Sequence, residues 1–233
     1  MADFEKAYKL VYSWENRQTK VGLIVYSNIG ADKGGETVFG VARNLYPRLS
    51  LWERVDKHKQ DCIIAMKKQK RPINLESSGF ALALSPALIN DVELCNQVHS
   101  FYYNNFWLKM IGDKIPNQAF AENLFLLSVN AGVKRGVKVG QEACGFTGKD
   151  IDGILGKNST SAFIKAGANE VKKFTEIEIR FYTSLVFKDP IVVMKDPLFN
   201  TNLQALIDSR KYEFRNESQK IFLIGWLRRA RAV

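Results

Sequence analysis

Asp32-Lys33-Gly34-Gly35-Glu36-Thr37-Val38-Phe39-Gly40 is the stretch on which the reading of this chain turns. Adjacent glycines at 34 and 35 admit positive φ and let the backbone approach a ligand closely. Asp32 stands two residues before them and Thr37 two after, so the turn projects a carboxylate and a hydroxyl. On its N-terminal side Val21, Leu23 and Val25 alternate with Gly22, Ile24 and Tyr26, the period of a short strand. Before that, Phe4, Ala7, Tyr8, Val11 and Trp14 fall at helical spacing, which predicts an amphipathic helix over 4–15 ending at Glu15.

A carboxylate at a helix C-terminus faces the negative end of the macrodipole, which disfavours its charged form and raises its pKa. A general acid working near neutral pH needs that environment. An acid opposite a turn that carries Asp and Thr, which can hold a water, suits glycosidic hydrolysis with inversion. The same residues also fit a solvated helix end and an Asp bonding its own backbone in a turn. Spacing alone leaves both readings open.

Outward from this region the pattern is helical. Ser50 and Glu53 have the spacing of a capping box. Residues 57–71 are rich in lysine, and 73–86 read as either strand or loop. Helices are expected over 87–111, over 117–135 after Pro116, over 159–187 up to Asp189-Pro190, and over 217–231. No repeat or Ser/Gly/Pro-rich linker divides the chain, so one mostly helical domain with a semi-distinct part after about residue 145 is the simplest organisation.

The chain's 233 residues are enough for a sizeable core, and 46% hydrophobic content excludes a disordered chain. A net charge of +10 implies an anionic partner: nucleic acid, an anionic membrane surface or an acidic wall polymer. Cys62, Cys95 and Cys144 form no disulfide framework and no CxxC, and His58 and His99 are too few for a His-rich metal site. No role is assigned to either histidine. No apolar run reaches the roughly 20 residues that span a bilayer. Met1-Ala2-Asp3-Phe4-Glu5-Lys6 lacks the features of a secretory signal, so cytoplasmic synthesis with reduced thiols is expected.

Asp32-Lys33-Gly34-Gly35-Glu36-Thr37-Val38-Phe39-Gly40 matches the Asp-x-Gly-Gly-x-Thr-x-x-Gly element of glycoside hydrolase family 108, the N-acetylmuramidases of phage endolysins and export-associated muramidases. Phe106-Trp107, Asp113-Lys114-Ile115-Pro116 and Asn117 through Gly132 resemble that family's second block. Gln141, Asp152-Gly153, Gly156 and Thr160, with Gly225-Trp226 and Arg228-Arg229, resemble its C-terminal peptidoglycan-binding region. Two positions depart from the pattern. The family's Glu-Gly-Gly-Tyr is not intact: Tyr26 stands where its tyrosine would, but Leu23 holds the place of the acid. Glu15 fits the helix context instead, if about eight residues within 16–25 are inserted to make a fuller hairpin. Leu126 replaces a frequent Asp.

The resemblance implies a mostly α, lysozyme-like helical bundle with one small β-hairpin near the N-terminus. It implies a muramidase-like catalytic region over 1–145 and a peptidoglycan-binding-like region over 146–233, packed together. The activity it implies is hydrolysis of the β-1,4 bond between N-acetylmuramic acid and N-acetylglucosamine in peptidoglycan glycan strands. Glu15 would be the general acid, with Asp32 and Thr37 beside the reacting centre. Substrate contacts would come from Tyr26, Gly34, Gly35, Trp107 and Asn130, although Trp107 also fits a core position and Asn130 a turn cap. Glu36 is a weaker candidate acid. No metal or organic cofactor, no nucleic acid and no stable membrane insertion are implied. The expected species is a monomer that reaches the wall after release by a holin or an export system. The broken acid motif leaves a second reading, a catalytically inactive wall-binding or secretion-accessory protein.

Overall fold

Helix α1 runs over Phe4–Glu15, the bounds that the apolar spacing predicts. It ends because Asn16 turns back and donates its Nδ2 to the Tyr12 carbonyl at 2.8 Å, filling one of the acceptors a helix end leaves open. The computed structural model describes residues 1–28 and 34–233. Asp32 lies outside the described residues. The described chain divides into two compact units, Tyr8–Asn105 and Met1–Ala7 with Phe106–Val233.

In the first unit β1 (Arg17–Thr19) and β2 (Gly22–Ile24) form an antiparallel hairpin with Arg17 opposite Ile24. A second antiparallel sheet follows, in the order β3 (Tyr26–Asn28), β4 (Glu36–Val38) and β5 (Val41–Ala42). Two small sheets thus replace the single hairpin expected. The run read as one strand breaks at Val25, whose N–H leaves the ladder and donates to Ser85 Oγ at 3.0 Å.

Helices α2 (Leu51–Lys68), α3 (Ser78–Ile89) and α4 (Val92–Tyr102) complete this unit. Ser50 forms no capping box: its φ of −61° and ψ of −23° are already helical, and its side chain makes no cap bond. The undecided segment 73–86 is a turn followed by α3, whose N-cap Ser77 accepts from the Phe80 N–H at 3.1 Å. The helix expected over 87–111 breaks at Asp91, which caps α4 by accepting from Leu94 N–H at 3.0 Å. Asp91 also takes a forked contact from Arg54 and a 2.7 Å bond from His58, tying α2 to the start of α4. The Arg54 bonds, against the cost of burial, hold its carboxyl well below the usual carboxylate range. Phe80, Leu84 and Leu88 of α3 are fully buried, and the helix packs on both β2 and β3.

The second unit contains α5 (Gln118–Ala131), α6 (Val133–Ala143), α7 (Lys157–Lys165) and α8 (Ala168–Val186). Three short helices follow, α9 (Pro190–Met194), α10 (Pro197–Thr201) and α11 (Leu203–Asp208), then α12 (Lys220–Ala230). Gly132, at φ +88°, splits the helix expected over 117–135, and an extended Gly167 splits the one expected over 159–187. α8 ends at Val186, where Phe187 turns extended, ahead of Asp189-Pro190, which instead starts α9, Asp189 accepting from the Val192 N–H. The core joins Phe120 of α5 to Phe163 of α7 at 5.3 Å and Phe174 of α8 at 5.7 Å. Residue 145 falls inside this unit, and the chain passes between the compact units at 7/8 and at 105/106. Buried Gln141 uses both ends of its amide to organise the loop before α7. It donates to Asp152, Ile154 O and Ser159, and accepts from the Gly153 N–H. The fold class is mostly α and lysozyme-like, with its strands confined to 17–42.

Candidate active site

β4 and β5 are joined through Phe39 and Gly40, both left-handed, at φ +48° and +81°. Val38 pairs with Val41 across them, the geometry of a two-residue hairpin turn that wants positive φ at both positions. A Cβ on Gly40 would stand 2.8 Å from Glu15 Cβ and Cγ and 2.5 Å from the Tyr102 hydroxyl. The last glycine of the quoted stretch is therefore the seat of the Glu15 side chain. Tyr102 holds the turn by donating to Phe39 O at 2.8 Å.

Glu15 borders a cleft of about 350 Å³ that also takes in Tyr26, Thr37 and Gly40. Ser27 pairs with Thr37 across β3 and β4, and both line the cleft. The Thr37 hydroxyl donates to Gly35 O at 3.2 Å, which fixes its rotamer at the cleft edge. The far side comes from Glu76, Ser77 and Ser78 at the start of α3.

The remaining predicted contacts have other duties. Tyr26 is 2% exposed, packs edge-on against Phe80 at 5.9 Å, and donates its hydroxyl to Glu36 at 2.9 Å. Burial, with the Glu36 charge beside it, holds that phenol well above its ordinary pKa. Tyr26 thus lines the cleft with its hydroxyl already committed to Glu36. Glu36 also pairs with Arg43 and Lys59, both at 2.6 Å, so its carboxylate is spent on structure. Gly34 and Gly35 are not among the cleft-lining residues. Gly35, at φ +64°, lies so close to Asn44 that a Cβ would stand 2.6 Å from its amide, and Asn44 N–H donates to Gly34 O. Those glycines pack against Asn44.

Trp107 is a core residue in place of the expected sugar platform. It is fully buried, its indole N–H donates to Asp113 at 2.7 Å, and its faces meet Phe4 and Phe125 at 5.5 Å. Asn130 donates to the Tyr182 hydroxyl at 2.6 Å and accepts from Arg229 at 3.1 Å, so both ends of its amide are engaged within the second unit. Trp226 stacks on Tyr182 there at 5.3 Å. Glu178, 1% exposed, sits in the same cluster, where burial pushes its carboxyl up to about 8 against the pull of Arg229. Among the described residues no group of His, Cys, Asp and Glu could hold a metal ion.

Sequence reasoning missed Arg17 and Glu76, which both line the cleft. A serine N-cap at 77 followed by an apolar run was the available signal for the second; nothing in composition marks the first. The hairpin also bears on the departure at Leu23. From Arg17 to Ile24 it is eight residues long and closed on itself by pairing. Without it Glu15 and Tyr26 would stand three apart, the spacing of Glu-Gly-Gly-Tyr.

The sequence profile described as Glycosyl hydrolase 108 matches residues 11–132, a span that contains Glu15 and every described part of the cleft. No curated protein matches the chain. Among solved structures, that of Brucella abortus SagA is similar over 97% of this chain and 95% of that chain, at 17% identity and a TM-score of 0.45.

Proposed function

The chain belongs to the Glycosyl hydrolase 108 family, a family of glycosidases acting on peptidoglycan, and from that premise we propose that it cleaves the β-1,4 bond between N-acetylmuramic acid and N-acetylglucosamine with Glu15 as general acid. The observation that carries this reading is the fit of Glu15 against Gly40 at the border of a cleft shared with Thr37. Such a carboxyl can protonate the leaving glycosidic oxygen, a contribution of about 10²–10⁴-fold. Thr37 orients water at the opposite edge, and Asp32, outside the described residues, is assigned the partner role of activating that water or steadying the cationic transition state.

Glu15→Gln tests the assignment on purified sacculi. Clearance should fall at least about 100-fold while pull-down on the same material is kept. Clearance at the wild-type rate by the variant refutes Glu15 as the acid. Binding without clearance by the wild-type protein establishes the second reading, a wall-binding protein without catalysis. We further assign wall contact to residues 146–233. Lys157→Glu, at the exposed start of α7, should weaken sacculus pull-down; unchanged binding removes that assignment. Among the described residues no helix is long and apolar enough to cross a membrane, and action on the wall after release through a holin or an export system is part of the same reading.

A further inference from the structure

The β1–β2 hairpin adds one charged group to the cleft. Arg17 lines it two residues after Glu15, and the other charged residues lining it, among the described residues, are the acids Glu15 and Glu76. Arg43, Arg54, Arg180 and Arg210 each pair with a carboxylate. Arg17 is exposed and has no such partner among the described residues. Its backbone is nonetheless held. Arg17 pairs with Ile24 at the base of the hairpin. At the tip, Thr19 Oγ1 accepts from the Val21 and Gly22 N–H groups and donates to Gly22 O. Just beyond β2, Val25 is pinned to Ser85 of α3. A guanidinium on a fixed ladder, the one basic group among the described residues that line the cleft, is arranged to receive an anion from outside the chain. Its planar fork suits a carboxylate.

We propose that Arg17 is a specificity-determining residue that binds a carboxylate carried on the muramyl side of the glycan, so that the hairpin selects muramic-acid-containing strands over neutral amino-sugar polymers. This rests on the glycosidase reading of the cleft. N-Acetylglucosamine is neutral. N-Acetylmuramic acid carries a lactyl carboxyl, free where the peptide stem has been removed and amide-linked where it is present; the stem then supplies carboxylates of its own.

Arg17→Gln, Arg17→Lys and a deletion of Arg17–Ile24 test this on stem-free glycan strands, stem-bearing sacculi and an N-acetylglucosamine oligomer. Arg17→Gln should raise KM on muramic-acid-containing substrate about tenfold, the loss of about 1.4 kcal/mol, with kcat within about twofold. Arg17→Lys should recover part of the loss, and the deletion should match Arg17→Gln. Affinity for the neutral oligomer should not change. A loss largest on stem-free strands assigns the lactyl carboxylate; a loss confined to sacculi assigns the stem. An unchanged KM on both, or an equal loss on the neutral oligomer, overturns the proposal. Measuring the same affinities in a Glu15→Gln background removes turnover, so a failed Arg17 effect is distinguishable from a failed assignment of the acid.

Discussion

Glu15 and Glu178 lie on helices, one in each compact unit, and the chain treats them in opposite ways. Glu15 closes α1, half-buried, with its stem against a glycine and a cleft beside it. Glu178 sits in the middle of α8, 1% exposed, its pKa raised to about 8 by burial, with Arg229 and Tyr182 as neighbours. By perturbation alone Glu178 would be the better candidate acid. Reach to an open cleft separates them: a shifted pKa marks a structural carboxyl as readily as a catalytic one.

The largest effect should come from setting the two side by side. Glu15→Gln should abolish most clearance, whereas Glu178→Gln should leave it within about twofold, since that carboxyl is buried and does not line the cleft that Glu15 borders. Equal losses in a turbidity assay on sacculi would erase the distinction. Next is Gly40→Ala, which adds a Cβ 2.8 Å from Glu15 in a left-handed turn. A displaced acid should cost about 100-fold in clearance, with about 1 kcal/mol of stability lost to the backbone strain. A fully active Gly40→Ala protein would show that the seat is unimportant.

The two units should also respond to pH in opposite directions. Glu178 titrates at about 8 when folded and near 4.5 when unfolded, so the native state keeps a proton that the unfolded state gives up. Its contribution is whole below the lower value and is lost as pH climbs through the folded one, by no more than about 1.4 kcal/mol per pH unit. Glu178→Gln should flatten that limb in denaturant titrations. Asp91, whose folded pKa is depressed, stabilises its unit above the ordinary carboxylate value and loses that contribution as pH falls. Asp91→Asn should cost about 2 kcal/mol at neutral pH and blunt the acid limb. The smallest effect is expected of Trp107→Phe: about 1 kcal/mol from the lost Asp113 bond, with KM for sacculi unchanged. A raised KM would return Trp107 to the sugar-binding set.

The legible parts of the sequence were those where local pattern and burial agree. α1 was bounded correctly because its apolar stripe ends at Trp14 and the polar run Asn16–Lys20 follows. The eight-residue hairpin followed from the displaced Glu-to-Tyr spacing. The joints between helices were hidden, because apolar periodicity runs on across Asp91, Gly132 and Gly167 while the backbone turns. The two sheets were read as one since only Ser85, sixty residues away, diverts the Val25 N–H. Of the candidate site, Glu15, Tyr26 and Thr37 border one cleft, while Trp107 and Asn130 are not among its lining residues, for a common reason. Each carries a polar atom that a ligand could use, and each spends it on a partner within its own unit.

The bond from Tyr102 to Phe39 O joins residues 63 positions apart. The acid and the glycine motif are both complete by residue 40, yet the brace on the turn between them arrives only with the last turn of α4. A nascent or truncated chain that stops short of Tyr102 therefore carries Glu15 and the glycine motif without that brace. The seat of Glu15 is thus braced only once the chain has grown past residue 102.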